Sequence, residues 1–409
     1  MQNTMLAPTI STERIQALDI LRGFALLGVL MVNMFAYAWP AQIIPTQTEW
    51  NNVLDRLAYW FIILFADSKF FPIFSFLFGY GLFMLMERVE ARGGRFVPLY
   101  LRRMAALLIF GLIHMLCFWW GDILSPYAIL GALLLLFRKA KPRTILIWAI
   151  AVMVLYAVAL FGLELLSANA SAGAENAAAP TGEAGYLAEA EQSVQAYRNG
   201  TLAEIMAQHR RDLGFMFSYT PFVMPMIFSM FLLGLYAGKH GVFKSIRANL
   251  PLFRRVQKFG LGLGVLGEVI VVLHVNFPDL LGPSVGAFCN IIGLFSMPLL
   301  GLGYMATVVL LIQKESWYVR LSPLASVGRM ALTNYLMQTV IATTIFYNYG
   351  LGLYAQIGPA TGLVLTLTIY VLQILISRWW LSHFRFGPLE WLWRSLTYLQ
   401  WQSMRLQSQ

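Results

Sequence analysis

Charge is scarce in this chain, and acid is scarcer than base: 12% of its 409 residues are charged, with 19 Asp and Glu against 29 Lys and Arg. That excludes the polar surface a soluble protein of this length needs. Cysteine is nearly absent, and the two present, Cys117 and Cys289, fall in or beside apolar stretches, so no disulfide framework is expected. A soluble domain of useful size is also missing, and no metal centre is expected. The first apolar stretch follows Glu13, Arg14 and Asp19 and lacks a small-residue cleavage site, so it is expected to stay in the membrane as its own insertion signal.

What the chain has in quantity is hydrophobic sequence, 59% of its residues, gathered into about ten stretches. They run Leu18–Trp39, Phe70–Met86, Met104–Trp120, Ile123–Phe137, Ile145–Leu166, Leu213–Tyr236, Phe259–Val275, Val285–Ile312, Met330–Tyr349 and Gly358–Ile376. Most are long enough to cross about 30 Å of hydrocarbon at about 1.5 Å per residue. The expected fold is therefore all-α, a polytopic bundle of about ten transmembrane helices forming one domain over residues 1–409.

Placing the N-terminus in the cytoplasm puts 24 of the 29 Lys and Arg on one face, which the positive-inside rule assigns to the cytoplasm. Both termini are then expected to be cytoplasmic. The remaining segments are an extracytoplasmic loop at 167–212, a basic cytoplasmic loop at 239–258 suited to lipid headgroups, and an amphipathic C-terminal segment at 384–409. The second half of the long outer loop, Tyr186–His209, reads as one or two helices over the outer mouth. The net charge of +10 follows from span ends that meet anionic lipid. Because the basic residues punctuate spans and do not cluster on a folded domain, nucleic acid is not an expected partner. Membrane lipids are, and the chain leaves room for a homo-oligomer.

Gly262-Leu-Gly264-Val-Leu-Gly267 fits a dinucleotide fingerprint but lies inside a span, where small residues serve close helix packing. An ionisable group near the bilayer centre costs about 2.5 to 3.5 kcal/mol on insertion scales, so each needs a partner, a cavity or a function. Asn33, Asp67, Ser68, Lys69, His114 and Asp122 all fall toward the outer half of the first four spans, and a shared cavity is expected. His114 is suited to take and return a proton, and Asp122 to accept its other N–H. Asn33, Asp67 and Lys69 complete the candidate catalytic set, with Asn33 or Lys69 as oxyanion donor. Asp19 and Arg22 read as a salt-bridged helix start; alternatively Arg22, Arg102 and Arg103 hold a phosphate group entering from the cytoplasm. Glu164, Glu268 and His274 are expected to face water or headgroups, and Asn334 and Gln338 to hydrogen-bond between helices. Glu390 and Arg394 read as an i,i+4 pair on an interfacial helix.

Several runs together carry a resemblance. They are Arg14-Ile-Gln-Ala-Leu-Asp19-Ile-Leu-Arg22-Gly23, the run Lys69 to Gly81 ending Leu-Phe-Gly-Tyr-Gly, and Gly111-Leu-Ile-His114 followed by Gly121-Asp122-Ile-Leu. To these add Gly328-Arg-Met-Ala-Leu-Thr-Asn334-Tyr-Leu-Met-Gln338 and Gly387-Pro-Leu-Glu390-Trp-Leu-Trp-Arg394. The chain resembles the YeiB-type proteins of the bacterial inner (plasma) membrane, a family described as a domain of unknown function. That family is distantly similar to heparan-alpha-glucosaminide N-acetyltransferase and the wider transmembrane acyltransferases.

The resemblance implies transfer of an acyl group from cytosolic acyl-CoA to a small-molecule or glycan acceptor on the other side. It matches Val32-Asn33 to the related enzyme's active-site Asn and Ala66-Asp67 to the start of its second span. The related enzyme's catalytic His has no counterpart between Asn33 and Lys69, and His114 is the candidate in its place. A transporter or permease of a small solute is the alternative, and a membrane scaffold without turnover stays open.

Overall fold

A computed structural model describes residues 15–40, 50–173, 183–277 and 286–406. Within hydrocarbon a backbone must satisfy its own hydrogen bonds, and long apolar runs therefore fold as helices. In chain order these are α1 (Gln16–Ala38), α2 (Val53–Phe65), α3 (Phe70–Ala91), α4 (Phe96–Cys117), α5 (Leu124–Leu134), α6 (Pro142–Gly173), α7 (Glu183–Asn199) and α8 (Leu202–Lys239). They continue as α9 (Leu250–Asn276), α10 (Gly286–Leu311), α11 (Glu315–Leu321), α12 (Leu324–Arg329), α13 (Ala331–Phe346), α14 (Pro359–His383) and α15 (Pro388–Tyr398). Among the described residues the only strand-like pairing is an isolated bridge between Phe384 and Arg405.

Among the described residues, eight helical segments are long and apolar enough to cross a membrane. Side chains such as Leu155 and Val158 on α6, each 64% exposed, give the bundle an apolar exterior suited to lipid. Two expected spans are shorter than anticipated. Ile123–Phe137 becomes α5 with a 3-10 turn, and Met330–Tyr349 becomes the 16-residue α13, which rises only about 24 Å. A turn that carries the buried Asp122 precedes α5, and a turn at the buried Met330 precedes α13.

Two helices extend beyond their expected spans. The second span has an added arm, α2, joined to α3 through residues 66–69. At this break Ile62 O accepts from both Ala66 N and Asp67 N, and Ser68 takes φ 60°. α8 is 38 residues long; it opens on a capping box in which Thr201 N donates to Glu204 Oε2 at 2.6 Å, and its first half packs with α7 over one end of the bundle.

Small residues set the closest helix contacts. A Cβ added at Gly23 would lie 2.1 Å from Leu324 O, and one at Gly328 1.9 Å from Asp19 O, so α1 and α12 touch backbone to backbone. Gly264 and Gly267 likewise bring α9 against Leu300 and Ser296 of α10, the packing role expected of them, and Gly260 does the same at Leu299; Gly262, the first glycine of the run, meets nothing within 4 Å. Asn334 donates to Ser377 at 3.0 Å and Gln338 to Gln373 at 2.9 Å, tying α13 to α14.

The cover formed by α7 and the start of α8 is anchored by polar groups that are buried outside the spans. Tyr197 donates to Asp212 at 2.5 Å, its ring stacks on Tyr347 at 4.3 Å, and His209 Nε2 lies 2.7 Å from Met115 O. Burial lowers the His209 pKa below its ordinary value, against the opposing pull of the Met115 carbonyl and Asp212. A lowered folded-state value means that the unfolded chain binds the proton first, so stability falls as pH drops below about 6.5. Thermal unfolding in detergent between pH 7.5 and 5 should show this decline, and His209→Gln should flatten it; an equal slope in both proteins would refute the assignment.

Candidate functional site

One cavity of about 560 Å³ runs through the bundle between α1, α3, α4, α5, α8 and the α12–α13 and α15 segments. Leu18, Arg22, Leu26, Val29 and Asn33 line it along a single face of α1, a path of about 22 Å at helical rise. On α3 the matching stripe is Phe71, Phe74, Phe78, Leu85 and Arg88.

The two ends of the cavity differ in chemistry. At the basic end the lining includes five guanidinium-bearing residues, Arg22, Arg88, Arg103, Arg329 and Arg394, against two carboxylates, Asp19 and Glu390. Asp19 is paired with Arg22 at 2.9 Å, as the sequence suggested. Glu390 departs from the expected surface pair with Arg394. Its Oε1 accepts from Leu332 N at 2.7 Å and Thr333 N at 3.0 Å, and its Oε2 from the Thr333 hydroxyl at 2.6 Å, so it caps the start of α13. Burial raises its carboxyl above the ordinary range, while those donors pull it down. Helix α15 is thus more than an interfacial anchor: Glu390, Trp393, Arg394 and Tyr398 all face the cavity. Trp393 fixes this end by donating its indole N–H to Arg103 O at 2.9 Å, with the Arg103 guanidinium 3.6 Å over its ring.

At the far end the lining includes Asn33, Asp67, Ser68, Gly121 and Asp122. Asp122 is held on two sides, with Oδ1 3.0 Å from His114 Nδ1 and Oδ2 accepting from Ser125 N at 2.7 Å. Close approach at Gly111 makes room for this turn, because a Cβ there would lie 2.4 Å from Ser125 Oγ and 2.9 Å from Asp122 Oδ2. His114 is buried and spans two partners, since its Nε2 lies 2.9 Å from Thr339 Oγ1, which is 2.7 Å from the Tyr37 hydroxyl. With the proton on Nδ1, the imidazole donates to Asp122 and accepts from Thr339, and the chain from Tyr37 to Asp122 is satisfied throughout.

The structure therefore joins His114 directly to Asp122, but it sets the carboxylate on the cavity wall and the imidazole behind it. Tyr335, whose ring lies 5.3 Å from that of His114, forms the wall between. Asn33 and Asp67 line the same cavity. Lys69 does not. Its Nζ lies 2.6 Å from Glu268 Oε2 and donates to Ile63 O at 2.7 Å, and Glu268 also accepts from Ser296 at 2.6 Å. Glu268 is thus buried, where the sequence suggested water or headgroups, because a carboxylate at that depth has found an ammonium. Arg22 and Arg103 meet in the cavity, whereas Arg102 is exposed and outside it.

Sequence reasoning missed Tyr37 and Thr339, neutral hydroxyls with no distinguishing local pattern. It also missed Arg88, Arg329, Arg394 and Glu390 as cavity residues. Their signal was present, since each sits in a segment already read as basic or amphipathic, but it was spent on topology.

This architecture, apolar helices around a cavity polar at both ends, defines a polytopic integral membrane protein. The model for "Protein of unknown function (DUF418)" matches residues 237–400. The chain is 40% identical to "Uncharacterized protein YxaH" of Bacillus subtilis, covering 97% of each. It is 31% identical to "Uncharacterized protein YeiB" of Escherichia coli, over 94% of this chain and 96% of that one. A further relative is an "Uncharacterized 39.9 kDa protein in amylase 3'region" from Bacillus acidopullulyticus, 30% identical over 96% of each chain. The chain belongs to the DUF418 family, alongside YeiB and YxaH.

The Lys69–Glu268 contact can be tested for stability. Removing one partner of a buried ion pair leaves a stranded charge that costs about 3–5 kcal/mol, whereas an apolar pair of similar volume can be neutral. Lys69→Met or Glu268→Leu alone should lower the melting temperature in detergent, and the double variant should recover most of the loss. Additive losses in the double variant would show that the two groups do not depend on each other.

Proposed function

We propose that this protein is a transmembrane acyltransferase, which takes an acyl group from acyl-CoA at the basic, cytoplasmic end and passes it to an acceptor hydroxyl or amine at the far end. The observation that carries this is the basic mouth of the cavity, whose lining among the described residues includes five arginines and two carboxylates. Such a mouth calls for a multiply charged anion, and guanidinium groups bind phosphate oxygens in pairs. The lining behind it is mostly apolar as far as Asn33 and Asp122, so the ligand should carry an uncharged arm behind its phosphates. Acyl-CoA has both parts.

At the far end the acceptor oxygen or nitrogen attacks the thioester carbonyl, the carbon–sulfur bond breaks, and the CoA thiolate leaves toward the basic end. The acceptor's proton passes to Asp122, which faces the cavity; the Nδ1–H of His114 behind it donates to that carboxylate and orients it, and Thr339 and Tyr37 fix the imidazole in place. In this reading the Asn33 amide, on the cavity lining, donates to the developing oxyanion. Asp67 and Ser68, which line the same cavity, hold the acceptor in this reading. Lys69 contributes by fixing the break that presents them.

A ligand that binds only the folded protein stabilises it by about 2.7 kcal/mol at about one hundred times its Kd. Detergent-purified protein should therefore melt at a higher temperature with free CoA and with acetyl-CoA. Arg22→Ala with Arg103→Ala should abolish that shift, and Arg102→Ala should retain it. Absence of a shift with free CoA and with every acyl-CoA would refute the proposal and favour a solute transporter.

A further inference from the structure

We infer that the acyl group handled at this site is a hydrocarbon chain of medium or greater length, seated in an apolar branch of the cavity beside Asp122. This rests on the acyl-CoA reading above and names its substrate class.

The branch is the stretch of lining that α3, α5 and α8 supply. Phe71 and Phe78 supply one wall, Tyr127 the second, and Val223 and Ile227 the third. Tyr127 ties the branch to the reacting end: it sits five residues after Asp122 and one turn into α5, and its ring lies 5.5 Å from that of Phe78. The polar atoms at its edge are committed elsewhere. The Tyr127 hydroxyl lies 2.7 Å from Ser75 Oγ and donates to Phe71 O at 3.1 Å, and the Thr220 hydroxyl donates to Met216 O at 2.7 Å.

A polar segment of the ligand would lose its hydrogen bonds with water here and find none in return. An acetyl group would leave the branch unfilled, and protein interiors pay for unfilled apolar space. A hydrocarbon chain extending from a thioester carbonyl at Asp122 meets neither cost, and each methylene it buries tightens binding by about fourfold.

The test is the Kd of the full-length protein for acetyl-, butanoyl-, hexanoyl- and octanoyl-CoA, beside free CoA, in one detergent. The Kd should fall by about fourfold per added methylene up to octanoyl-CoA in the unaltered protein. Val223→Trp and Ile227→Trp, which place bulk in the branch, should each flatten the series, while Val223→Ala should keep it steep. A series of equal Kd values, with acetyl-CoA and free CoA still bound, would overturn the chain assignment and leave the acyl-CoA reading standing. A slope that persists in both tryptophan variants would also overturn it, because the chain would then lie elsewhere. Failure of free CoA and of every acyl-CoA to bind would refute the underlying reading and this inference with it.

Discussion

An ammonium and a carboxylate meeting at 2.6 Å deep in an apolar bundle are the constraint on which much of this structure depends. Neither Lys69 nor Glu268 could be held in hydrocarbon alone, and each makes the other tolerable only where α2, α3, α9 and α10 converge. The pairing sets where the second helix breaks. Ile63 O accepts from Lys69 in addition, Ser68 takes a left-handed conformation, and the chain turns so that Asp67 and Ser68 face the cavity. Without the break, α2 and α3 would continue as one helix, and the far end of the cavity would lose two of its polar groups.

The same economy governs the rest of the interior. Hydrogen bonds in a low-dielectric setting are worth making and costly to leave unmade, so polar groups occur in closed sets. Tyr37, Thr339, His114 and Asp122 form one such set across α1, α13, α4 and the turn before α5. Glu390 and the start of α13 form another, in which a carboxylate occupies the electropositive end of a helix and satisfies donors that would otherwise be orphaned. The first set orients a carboxylate toward the cavity. The second joins α15 to the bundle and brings Trp393 and Arg394 to its basic mouth.

Charge is divided along the cavity in a way that matches the division across the whole molecule. The arginines that line the basic end belong to the same excess of Lys and Arg over Asp and Glu that the whole chain carries. The middle of the cavity stays apolar because α3 turns Phe71, Phe74 and Phe78 into it, and the far end is polar because the chain turns there twice, at 66–69 and at 118–123.

The membrane character, the helical class and the basic face were legible in the sequence because they rest on composition and on the ends of apolar runs, which act locally. So was the convergence of Asn33, Asp67 and Asp122, since span direction alone puts them at one depth. His114 was recognisable as the partner of Asp122, yet its place behind the wall was not, because that depends on how far α4 is rotated against α13. The partner of Lys69 lay nearly half the chain away, on a helix whose neighbours only packing could choose. Glu390 looked like half of a surface pair by spacing and became a cap, because the start of α13 offered unsatisfied N–H groups that outcompeted an arginine beside it. The sequence by itself determined which residues could not face lipid. The tertiary structure alone decided which of them met, since partner choice across helices is set by crossing geometry and close glycine contacts that no local pattern encodes.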